Sequence, residues 1–118
     1  MVIPKRILFM INYEFGDILL FQVFPYSNAA AGKKRPALVL ADTGDGDVLA
    51  CRITSQTGRD EFDLDLAHWK DCGLLLPSLV RVSKMASLNK NLVVKKLGRI
   101  GSPDRRKVRG FLKKLFDI

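Results

Sequence analysis

At 118 residues, 47% of them hydrophobic, and with a mean hydropathy of +0.06, the chain has material for one domain with a modest core. It is too short for two ordinary domains and too apolar for the disordered class, so residues 1–118 are read as a single domain. Twenty Lys and Arg against twelve Asp and Glu give a formal charge of +8, which suits a polyanionic partner and equally a solvated basic surface.

The chain opens with Lys5, Arg6 and the apolar run Ile7–Ile11, which Asn12, Tyr13 and Glu14 end before the core of a signal peptide is complete. No run approaches the ~18 apolar residues of a membrane helix, so no membrane association is expected and the expected location is the cytoplasm. Gly16–Phe24 reads as a strand buried on both faces, closed by Pro25. The small-residue stretch Tyr26–Lys34 reads as a loop. Pro36–Ala41 and Asp47–Ile53 read as two strands of a hairpin, joined by the Gly- and Asp-rich turn Asp42–Gly46. Phe62–Leu66 alternates, which predicts Phe62, Leu64 and Leu66 on the core and both Asp63 and Asp65 in water. Ala67–Cys72 is expected to make one helical turn ended by Gly73.

Ser78–Ser83 predicts a strand with Val80 and Val82 on one face and Leu79, Arg81 and Ser83 on the other. Leu88–Ile100 mixes short apolar pairs with Lys90, Lys95, Lys96 and Arg99, and reads as a loop with a short strand. The last segment predicts an amphipathic helix: Ser102 is its expected N-cap, Pro103 suits the first position, Asp104 complements the dipole, and Val108, Phe111, Leu112 and Leu115 follow helical spacing. Several short strands, one terminal helix and no βαβ rhythm predict an α+β, mainly β fold, a small antiparallel barrel or sandwich.

One histidine, His68, and two cysteines, Cys51 and Cys72, leave no grouping at metal-ligand spacing, so neither a metal site nor a cofactor is expected. Both cysteines are read as packing residues. Neither Gly44-Asp45-Gly46 nor the Gly98–Gly101 stretch has the spacing of a phosphate loop. Catalysis, if any, then falls to Arg, Thr, Ser and carboxylates. Lys33-Lys34-Arg35-Pro36 is the densest basic group ahead of the helix, at the point where a loop becomes a strand. A guanidinium fixed there presents paired donors to a phosphate, which makes Arg35 the first candidate beside the alternative of a solvated edge arginine. Thr54, Ser55 and Gln56 follow at a strand exit, where binding groups commonly sit, although turn residues with no other role would read the same way.

These pieces together resemble the MazF/PemK toxin family. The matching stretches are Gly16-Asp17-Ile18-Leu19-Leu20, Lys34-Arg35-Pro36-Ala37-Leu38-Val39-Leu40, Cys51 through Gln56, Gly73 through Val82 and Lys96-Leu97-Gly98-Arg99-Ile100, in the family's order. The resemblance implies an SH3-like barrel with a C-terminal helix, a homodimer, and a cognate antitoxin that neutralises it. It also implies sequence-specific, metal-independent cleavage of single-stranded RNA, by attack of a ribose 2′-hydroxyl on the adjacent phosphate. By that analogy Arg35 stabilises the phosphorane and assists proton transfer and Thr54 holds the scissile phosphate, while Lys33, Lys34, Ser55, Gln56 and Arg81 contact RNA. Two departures are visible. The family's loop Glu or His falls among Ala29, Ala30 and Ala31, and the acid two residues after the Val-Val-Arg arginine is Ser83 here. They keep a second reading open, a binding module for RNA or antitoxin in which cleavage has weakened.

Overall fold

Continuous apolar runs become strands here because both sheet faces are covered. The computed structural model describes residues 11–22, 33–56 and 60–118. Its strands are β1 (Asp17–Phe21), β2 (Arg35–Asp42), β3 (Asp47–Thr54), β4 (Asp63–Asp65), β5 (Leu79–Asn89) and β6 (Val93–Arg99), followed by the helix α1 (Ser102–Phe116). They form one antiparallel sheet in the order β4-β5-β3-β2-β1-β6. The mainly β fold with a terminal helix is the one expected, with β4 and β6 at the two ends of the ladder rather than joined into a closed barrel.

Alternate residues of β1, β2 and β3 feed two cores. Ile18, Leu38, Cys51, Ile53, Val80 and Val82 join Ile100 and Val108 on the helix-covered face. Leu19, Phe21, Ala37, Val39, Val48, Ala50 and Leu88 make the second cluster, with Tyr13, Leu92 and Val93 at its border. Cys51 and Cys72 are free and buried, as packing residues would be. Cys51 pairs with Met85, but the next pair is Arg52 with Arg81, so β5 bulges between them. A bulge of this kind bends its strand; the first part of β5 pairs with both β3 and β4, and its second part with β3.

The hairpin stands as expected, with Gly44 and Gly46 in the turn at positive φ of 79° and 96°. Four expectations change. Asp63 is buried, because its edge-strand face turns onto Arg81 instead of water. The strand begun at Leu79 runs to Asn89. Leu88–Ile100 is not mainly loop: after the 3₁₀ turn Lys90–Leu92, β6 runs for seven residues along β1. The N-cap is Gly101 rather than Ser102, with Pro103 still in the first turn and Asp104 beside it. The expected turn after β4 is present as hydrogen-bonded turns, closed by Gly73 at φ 83°. Val23–Gly32, which includes the end of the first predicted strand and Ala29–Ala31, lies outside the described residues, as do 1–10 and 57–59.

Candidate functional site

Arg35 opens β2 and Thr54 closes β3. Ala37 pairs with Arg52 across these strands. Two residues back from Ala37 and two on from Arg52, the antiparallel ladder sets Arg35 and Thr54 on the same face at one end of the sheet. Thr54 is buried, and its Oγ accepts the Gln56 N–H at 3.1 Å. With one lone pair so occupied, the hydroxyl keeps its own hydrogen to donate. The same bond folds the chain after β3 into a tight turn and presents Ser55 and Gln56, both exposed, beside it.

A cleft of about 680 Å3 lies at this end of the sheet. Lys33, Lys34, Arg35, Thr54, Ser55 and Gln56, six of the seven residues singled out in the sequence, line it together. Arg52 and Lys95 add two further cations to the wall. Each charged nitrogen is a point of attraction for an anion, and several converging on one concave surface focus the field there. The opposite rim is the segment Gly73–Leu76, on which Leu75 and Leu76 are largely exposed. This rim is pressed onto β6 so closely that a Cβ at Gly73 would come within 2.0 Å of the Leu97 carbonyl oxygen, and its positive φ also requires glycine.

Arg81 is the seventh, and it stands outside the cleft wall. On β5 it sits opposite Arg52 of β3 and opposite Asp63 of β4, with its Nη1 3.2 Å from the Asp63 carboxylate. Burial, and then the charges of Arg81 and Arg35, lower the pKa of the Arg52 guanidinium. Arg52 therefore lies in the field of both other arginines, and Asp63 supplies a negative charge beside Arg81. Arg52 was missed in the sequence, although a signal was there: it lies two residues before Thr54 in a strand, hence on the same face. Asp63 carried no such signal. An acid from β4 stands beside Arg81, where the resemblance had placed one two residues along β5, at Ser83.

Among the described residues no group of three or more His, Cys, Asp and Glu could hold a metal ion. Among the described residues no helix is long and apolar enough to cross a membrane.

A family model described as PemK-like, MazF-like toxin of type II toxin-antitoxin system matches residues 14–116. No curated protein sequence matches the chain. Among solved structures, a MazF from Deinococcus radiodurans superposes with a TM-score of 0.69 at 25% identity, over 90% of this chain and 97% of that one. A MazE-MazF structure from the same organism gives 0.71 at 24% identity, over 90% and 96%. An endoribonuclease in complex with its cognate antitoxin, from Mycobacterial species, gives 0.71 at 15% identity, over 91% and 97%.

Proposed function

Because the chain belongs to the PemK-like, MazF-like toxins of type II toxin-antitoxin systems, we propose that it is an endoribonuclease that cuts single-stranded RNA at particular sequences without a metal ion. The observation that carries this reading is the convergence of Arg35 and Thr54 at one end of the sheet, in a cleft walled by Lys33, Lys34, Arg52 and Lys95. A phosphodiester drawn into that field meets a guanidinium fork and a hydroxyl donor together. Attack of the neighbouring 2′-hydroxyl, whose proton passes to solvent water, forms the O2′–P bond and adds negative charge to the phosphorane oxygens, and groups already aimed at that charge lower the barrier. The P–O5′ bond then breaks, and the departing oxygen takes a proton from water, leaving a 5′-hydroxyl and a 2′,3′-cyclic phosphate. Thr54 holds the phosphate through the hydrogen its Oγ has left to give, and Arg35 compensates the developing charge. An arginine does not surrender its proton near neutral pH, so its work here is mainly electrostatic. Ser55 and Gln56 complete the contacts to RNA within the cleft, and Arg81, outside its wall, extends them.

The same reading includes a homodimer and a cognate antitoxin as partners. The MazE-MazF structure and the mycobacterial complex supply the precedent for a protein partner of the antitoxin kind, and the exposed Leu75 and Leu76 are apolar surface suited to a protein contact. The alternative, a module that binds RNA or antitoxin and has lost most cleavage, draws on the alanines at positions 29–31 and on Ser83, where an acid would be expected.

Cleavage of a long mixed-sequence single-stranded RNA in EDTA decides between the two. Wild-type protein is expected to cut at a short motif, and Arg35→Ala and Thr54→Ala each to lose about 10²- to 10³-fold in rate. RNA that is bound and left whole would establish the binding module instead. Cutting that disappears in EDTA would overturn the metal-free mechanism.

A further inference from the structure

A second, smaller cavity of about 350 Å3 lies on the other side of the Thr54–Gln56 turn. It shares Thr54, Ser55, Gln56 and Ser78 with the cationic cleft, but its remaining walls are different in kind. Trp69 brings an aromatic surface and Asp65 a carboxylate, and among the described residues no Lys or Arg lines it. We propose that this cavity receives a single nucleobase of the bound RNA, and that the base it prefers is guanine. The proposal rests on the RNA-cleaving reading above and names the recognition subsite that such an enzyme would need.

Size and chemistry both select the occupant. A volume at the lower end of small-ligand sites suits one flat ring system. Proteins that read single-stranded RNA splay out a base, lay it against an aromatic side chain and hydrogen-bond its Watson–Crick edge. Trp69 is half-buried and packed against the helix-side core, so its position is fixed by packing before any RNA arrives. Lys70 places its ammonium 5.4 Å from the indole centroid, a positive charge that suits the approach of a polyanion. Asp65 is exposed on β4, and an ionised carboxylate only accepts, through two oxygens. Guanine is the base whose Watson–Crick edge offers two adjacent donors, N1–H and the N2 amino group, while its O6 accepts from an amide such as that of Gln56. Continuity with the cleft supplies the register: a phosphate held at Thr54 leaves its own nucleotide beside the turn that forms the wall of this cavity.

Trp69 is the one tryptophan of the chain, so its emission reports the cavity directly. The probes are short uridine oligonucleotides with one central A, C, G or U and 2′-fluoro sugars, which lack the attacking hydroxyl. A fluorescein end label reads binding separately through anisotropy. The guanine oligomer is expected to quench Trp69 and to bind at least about fivefold more tightly than the other three, the lower end of bidentate base discrimination. Asp65→Asn is expected to remove that preference. Anisotropy that reports binding while tryptophan emission stays constant, or quenching in wild-type protein that ignores the central base, would overturn the base pocket and leave the RNA reading standing. Failure of all four oligomers to bind would overturn the RNA reading and this inference with it.

Discussion

Asp63 reaches Arg81 across the β4–β5 ladder with a side chain only 1% exposed, against 17% for its partner. Its Oδ2 also accepts the Asp60 N–H at 3.1 Å, so the acid organises the approach to β4 as well as the arginine. Removing one member of a buried pair leaves the other in a medium that solvates it poorly. Asp63→Asn is therefore expected to cost about 2–3 kcal/mol in urea unfolding, less than for a fully buried pair because Arg81 retains some water. A cost below about 0.5 kcal/mol would mean that Arg81 finds equal compensation elsewhere. Alternation correctly put Leu64 and Leu66 on the core, and it put Asp63 in water because period two identifies a face without saying what covers it. Arg35 and Thr54 were legible for the opposite reason: each stands at a strand boundary that turn chemistry makes visible. Their meeting at one end of the sheet depends on register, which no local pattern carries.

The elements that could be read are those whose signals are local. The β2–β3 hairpin has its glycines, and α1 has its proline, its first-turn aspartate and its apolar spacing. β6 was obscured because its polar residues look like a loop until their partners are known. Lys96 reaches the buried Asp17 at 3.1 Å, and Arg99 reaches Glu14 at 3.1 Å, both across to the β1 side. Lysine and arginine thus belong to an edge strand here, where charge also discourages further strand pairing. Within α1, Gly110 is exposed and a Cβ there would meet nothing within 4 Å. No close packing accounts for it. Gly110→Ala is therefore expected to stabilise the protein by about 0.5–1 kcal/mol, mainly by narrowing the unfolded ensemble, with Tm rising by about 3 °C. A fall in Tm instead would indicate that this surface is covered by another chain in solution.

At the scale of the whole molecule, one buried ion pair joins three parts of the chain that are remote in sequence. Lys90, in the 3₁₀ turn between β5 and β6, holds its ammonium 2.9 Å from Asp42 at the end of β2, both side chains less than 5% exposed. The ammonium also donates to the Ile11 carbonyl at 2.7 Å, Tyr13 N–H donates to the Asp42 carboxylate at 2.8 Å, and Lys90 N–H donates to Gly46 in the hairpin turn. The entry to β1, the β2–β3 turn and the start of β6 are thereby fastened at one point. Nothing in Asn89-Lys90-Asn91 advertises a buried cation, since the same tripeptide would serve an exposed turn. Burial alone would raise the Asp42 pKa, but hydrogen bonds from Tyr13, Lys90 and Gly44, with the Lys90 charge, outweigh it and hold the carboxyl below its ordinary 3.8. A folded-state pKa depressed in this way means that the unfolded chain binds the proton more readily. The stabilisation is then complete above the ordinary carboxylate range and is lost as pH falls through the folded value. Asp42→Asn should cost about 2–4 kcal/mol in urea unfolding near pH 7, with the same gap to wild type near pH 5. Near pH 3 and below the gap should narrow, because the wild-type carboxyl begins to protonate there too. A gap that does not shrink in acid would assign the loss to packing or hydrogen-bond geometry rather than to the Asp42 charge.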